Sequence, residues 1–135
     1  MKINLEGQTA AITGAAQGIG RAIAESFLEA GSHILAIDID AAALSDFQKT
    51  APEKIETVTA DVGNYAVLKG IAGGKKINHL VCAAAIGSGK SGFPFWNLEP
   101  GDWGKVIKIT LMGTVNTVHA FAPSLLADAD ETQQK

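Results

Sequence analysis

The chain has 135 residues, 47% of them hydrophobic and 19% charged, a balance that suits one soluble globular unit with a modest core. Its net charge is −3 with no basic cluster, which argues against a nucleic-acid or anionic-membrane partner. A lone Cys82, three scattered histidines (His33, His79 and His119) and the lack of a long apolar run exclude an internal disulfide, a spaced metal site and a membrane-spanning helix. No signal-peptide-like hydrophobic region precedes the first predicted strand, and with the single thiol this sets the expectation of a reducing, cytoplasmic setting. Residues 9–12 form a short apolar run, long enough for a buried strand and too short for a helix. The stretch TGAAQGIG over 13–20 follows, and residues 19–30 then carry apolar side chains at 19, 23, 27 and 28, the spacing of one helical face, with Gly31 suited to the C-cap. Strand, glycine turn and helix in this order present free N–H groups and a helix N-terminus to a phosphate. A side chain at Gly14, Gly18 or Gly20 would obstruct the turn, the approach of a pyrophosphate or the packing of helix on strand.

TGAAQGIG resembles the TGxxxGxG fingerprint of the short-chain dehydrogenase/reductase family, and later positions match that family in order. The resemblance implies a Rossmann-type fold and a nicotinamide dinucleotide held by Gly14, Gln17, Gly18, Ile19 and Gly20. Residues 33–37 are a second apolar run ending in Asp38, which lies 18 residues past Gly20, near the spacing at which an acidic residue meets the adenosine ribose. Its carboxylate would accept from the ribose hydroxyls and repel a 2′-phosphate. Relatives that prefer NADP place a basic residue inside the glycine turn or after the second strand, where this chain has Gln17 and Ile39; NAD is therefore expected over NADP.

A short helix is predicted over 41–49 with Asp40 as N-cap, then a third strand over 55–60. Asp61 and Val62 follow. By resemblance the aspartate contacts the adenine and the valine packs against the ring, although a helix-capping aspartate would look the same. Tyr65 and Lys69 fit the family's catalytic YxxxK spacing, but they follow the third strand rather than the fifth, and Pro52 stands where the partner serine is expected. A solvated amphipathic helix is the better reading. A fourth strand over 77–83 ends in Cys82, Ala83, Ala84 and Ala85 where the family has NNAG: small residues remain for close approach of the cofactor, and both asparagine amides are absent.

The next segment, AAIGSGKS, nearly spells a phosphate-loop NTPase motif, but Ala84 replaces its first glycine and Gly92-Phe93-Pro94 interrupts the helix that should follow; a loop at a strand's carboxyl end is expected instead. Phe93, Phe95 and Trp96 either face a substrate or pack this loop down. From Asp102 a helix of more than six turns is predicted from Trp103, Val106, Ile107, Thr110, Leu111, Thr114, Val118, Phe121, Ala122 and Leu125, with a kink at Pro123. Such a stripe suits a subunit interface, as in the family, or packing on the sheet. KITLMGT aligns with the family's vNxxG pattern and puts Thr110 where an asparagine supports a proton relay.

The expected architecture is the first βαβαβαβα portion of a doubly wound parallel sheet, strand order 3-2-1-4, over 1–127, with a polar loop or frayed end over 128–135. By resemblance this is the cofactor-binding portion of an NAD-dependent alcohol or ketone oxidoreductase, without the catalytic serine, tyrosine and lysine. A missing C-terminal half or a second subunit would cover strand 4 and the long helix. The alternative is a non-catalytic dinucleotide-binding or assembly module.

Overall fold

The computed structural model describes residues 3–90, 92 and 94–133. In chain order they form β1 (Thr9–Thr13), α1 (Gly18–Glu29), β2 (His33–Asp38), α2 (Ala41–Gln48), β3 (Ile55–Thr59), α3 (Tyr65–Ala72), β4 (His79–Cys82), α4 (Pro100–Val106), a π-helical segment (Ile107–Met112) and α5 (Gly113–Gln133). The four strands make one parallel sheet in the order β3-β2-β1-β4, as expected. Ile12 of β1 pairs with Ala36 of β2 on one side and Val81 of β4 on the other.

The alternation of side chains along β1 and β2 feeds two cores. Ala10, Ile12, Ile34 and Ala36 point to one face, where Ala24 of α1 and Leu44 and Phe47 of α2 cover them. Ala11, Leu35 and Ile37 point to the other, beneath Leu68 and Ala72 of α3 and Ala120 and Phe121 of α5. A sheet covered on both faces needs strands that are apolar throughout, which is why TAAIT and HILAID show no polar alternation.

The helix starts follow from local chemistry. Asp40 caps α2 as expected, its Oδ1 accepting from the Ala43 N–H at 3.0 Å. The cap of α3 is Asn64, whose Oδ1 accepts from the Val67 N–H at 3.3 Å. Asp61 is therefore not the cap: its Oδ1 accepts from the Gly63 N–H at 2.7 Å and closes a separate turn at the end of β3.

The long helix departs from the even repeat expected of it. Between α4 and α5 the π segment, about one residue looser per turn, re-phases the apolar positions by roughly 100°. The face laid on the sheet is consequently Gly113, Thr117, Ala120 and Phe121, while Trp103, Ile107, Leu111 and Val118 of the expected stripe are exposed together with Met112, Val115 and Leu126. A Cβ on Gly113 would stand 2.5 Å from Val62 Cγ2, so only a glycine lets α5 lie this close to the end of β3. Pro123 lies inside α5, and the helix runs on to Gln133, into the stretch expected from 128 to be a polar loop or frayed end.

Candidate functional site

The carboxyl ends of all four strands open into one cleft of about 500 Å³. Gly14, Gln17, Gly18, Ile19 and Gly20 line it from the turn after β1, Asp38 and Ile39 from the end of β2, and Asp61 and Val62 from the end of β3. Ala83, Ala84, Ala85 and Ile86 line it beyond β4, and Lys105 and Ile109 from the long helix. Eleven of the twelve residues expected at a dinucleotide thus meet in one place. Cys82 does not: it ends β4 paired with Thr13, half-buried, and stops one residue short of the lining. Burial pushes its thiol pKa up, so it stays protonated and unreactive near neutral pH.

The turn after β1 is built by steric exclusion. Gly14 has a φ of +71°, and a Cβ there would come within 2.8 Å of the backbone of Ala83 and Ala84. A Cβ at Gly20 would run into the carbonyl of Gly14, so the first turn of α1 can sit directly on the loop. Gly18 is different. It has a φ of +58°, and nothing lies within 4 Å of where its Cβ would be. Two glycines are required by the protein itself, whereas the third leaves open space at the N-terminus of α1. That is the cradle a phosphate group would fill.

Asp38 is tied into this turn. One carboxylate oxygen accepts from the Ala16 N–H at 3.0 Å and the other from the Asp40 N–H at 3.1 Å. Each oxygen keeps a further lone pair, so the side chain is held in place and can still accept from hydroxyls in the cleft. Ile19 and Ile39 stand at the rim, 77% and 68% exposed, and offer apolar surface to a flat ring system.

Thr110 lies in the π segment and does not line the cleft. Its Oγ1 accepts from the Ile86 N–H at 3.3 Å and lies 3.4 Å from the Ile86 carbonyl, fastening the loop after β4 to the helix. Tyr65 and Lys69 lie in a separate groove of about 440 Å³ between α3 and α5, where the Tyr65 hydroxyl is 2.8 Å from His119 Nδ1. Neither reaches the cleft, in line with the reading of YAVLK as a surface helix. Phe95 and Trp96 form an exposed 3₁₀ turn, with Phe95 edge-on to Trp103; Phe93 lies outside the described residues. Sequence reasoning missed Ile86, Lys105 and Ile109. Lys105 and Ile109 are four residues apart, and that spacing on the helix after the fourth strand was the available signal. No group of metal ligands occurs among the described residues, and no helix among them is long and apolar enough to cross a membrane.

Solved structures share this arrangement. A 3-oxoacyl-(acyl-carrier protein) reductase from Brucella melitensis with bound NAD superposes with a TM-score of 0.82 at 26% identity, over 93% of this chain and 52% of its own. A metagenomic short-chain oxidoreductase in complex with NADP gives a TM-score of 0.80 at 27% identity, over 92% of this chain and 59% of its own. Among curated proteins, galactitol 2-dehydrogenase of Rhizobium johnstonii is 29% identical over 133 residues, covering 93% of this chain and 51% of that protein. The chain therefore spans about half the length of relatives that it matches nearly end to end. Residues 8–133 match the family model for short chain dehydrogenase, and the chain belongs to the short-chain dehydrogenase/reductase family of oxidoreductases.

Proposed function

We propose that this chain is the dinucleotide-binding portion of an NAD-dependent oxidoreductase acting on a small alcohol or ketone. The observation that carries the reading is the cleft itself, which joins the open Gly18 cradle at the N-terminus of α1 to the anchored carboxylate of Asp38. In this reading the N–H groups of residues 18–20 receive the pyrophosphate, Asp38 accepts from the adenosine ribose hydroxyls, and Ile39, Val62 and Ile19 supply apolar walls. The nicotinamide, when bound, supplies hydride transfer to or from a carbonyl or carbinol carbon. The part played by these residues is to fix its position, with Ala83 and Ala84 small enough for close approach.

NAD is preferred over NADP in this proposal because a 2′-phosphate would stand against the Asp38 carboxylate, and neither Gln17 nor Ile39 offers a cation in return. Calorimetric titration should find NAD the tighter ligand, with Asp38→Asn narrowing the gap by about tenfold. Equal or tighter binding of NADP by the unaltered chain would remove the preference.

In the same proposal the protein works in the cytoplasm, where its single thiol stays reduced. A further stretch of chain or a second copy covers β4 and the exposed apolar face of the long helix. A second reading, a non-catalytic dinucleotide-binding module, is favoured by Thr110, which stands where the family has an asparagine and whose hydroxyl is engaged with the Ile86 backbone. Nucleotide binding without turnover of any alcohol or ketone by the complete protein would select it.

A further inference from the structure

Three lysines lie along the helix that closes the cleft and the loop before it, and their surroundings differ. Lys90 is neutralised by Asp102, with Nζ 2.6 Å from Oδ2; that bond, reinforced by the Glu99 N–H, holds the Asp102 carboxyl below the ordinary carboxylate range. The stem of Lys108 packs by Gly63, its Cε 3.2 Å from where a Cβ on that glycine would be. Lys105 lines the cleft, and among the described residues its side chain makes neither hydrogen bond nor ion pair.

The other ionisable groups lining the cleft are Asp38 and Asp61, so the protein contributes two negative charges and one positive. A dinucleotide would add the charges of its pyrophosphate. Backbone N–H groups at α1 can answer part of that charge, and among the described residues lining the cleft Lys105 is the one basic side chain. We propose that Lys105 is a cofactor-binding residue, its ammonium pairing with a pyrophosphate oxygen of the bound dinucleotide from the helix that lines the cleft. This rests on the dinucleotide reading above. It goes beyond that reading by assigning the helix wall, and not only the glycine turn, to phosphate recognition. The phosphate concerned is the pyrophosphate, common to NAD and NADP, so the contact serves both.

The test compares the unaltered full chain with Lys105→Met, which keeps the stem and loses the charge, and Lys105→Arg, which keeps the charge. Adenosine, ADP-ribose, NAD and NADP are titrated at low and high salt, with circular dichroism as the check on folding. Lys105→Met should weaken ADP-ribose and NAD about fivefold at low salt, as expected of an exposed pair, with the difference shrinking as salt rises. Adenosine should bind unchanged, and Lys105→Arg should retain phosphate binding. Loss confined to NADP would place the contact at the 2′-phosphate instead and would overturn the inference. Unchanged affinities and salt slopes in Lys105→Met, or equal weakening of adenosine, would overturn the inference while leaving the dinucleotide reading intact. An unaltered chain that binds none of the four ligands would overturn both.

Discussion

The two strands that flank β1 are treated very differently by the fold. On one side β2 buries four consecutive residues, 34–37, to 1% exposure or less; on the other, all four residues of β4 remain partly exposed. The helices follow suit. The core face of α2 is sealed over Leu44 and Phe47, whereas the helix from Pro100 onward turns seven large apolar side chains outward. Both regions are apolar in sequence, so composition alone does not decide burial. What decides it is whether the covering element lies within the described chain: α1 and α2 cover the β2 side, and the outer flank of β4 has no counterpart among the described residues.

The comparison can be broken most directly in the two cores. Phe47→Ala, on the core face of α2, and Phe121→Ala, on the core face of α5, each empty a fully buried site and should cost about 3–5 kcal/mol in urea unfolding. A cost below about 1 kcal/mol for Phe121 alone would mean that the α5 face is not packed as described. A smaller contrast lies within the glycine turn. Gly20→Ala forces a methyl into the Gly14 carbonyl and should cost about 2–3 kcal/mol along with nucleotide binding. Gly18→Ala meets only the left-handed backbone penalty, about 1–2 kcal/mol, yet should still abolish binding because it fills the cradle. If Gly18→Ala binds NAD normally, the pyrophosphate is not at Gly18. The smallest effect on stability is expected on the outward face: Leu111→Glu should change unfolding by no more than about 0.5 kcal/mol. It should nevertheless reduce self-association in light scattering at high concentration. A large loss of stability there would mean that this face is packed within the chain.

Much of the fold was legible because its signals are local. The run HILAID, the cap at Asp40 and the glycine spacing of 13–20 each report on their own neighbourhood, and each element formed where its residues indicated. The cleft was legible for the same reason, since strand ends in a parallel sheet converge whatever their side chains. The misses are of another kind. Nothing local distinguishes an α-helical from a π turn over 107–112; that choice depends on seating Gly113 against Val62, fifty-one positions earlier in the chain. The apolar positions from Trp103 onward were therefore read as one even repeat, without the π segment that divides them, and Lys105 was overlooked because its place in the cleft depends on how the helix crosses the sheet. For Asp61 the alternative of a helix cap could not be set aside from sequence, because aspartate serves equally well in a turn, and only the position of Asn64 in space separates the two.

The hydrogen bond from the Ala16 N–H to Asp38 has an implication for how such a protein can change. The same carboxylate proposed to select the ribose also braces the loop proposed to hold the phosphates. An attempt to redesign cofactor preference at position 38 therefore pulls out a structural strut together with a recognition group. Redesign of this protein should proceed in pairs, with a new donor or acceptor for the Ala16 N–H introduced at the same time as the new ribose contact.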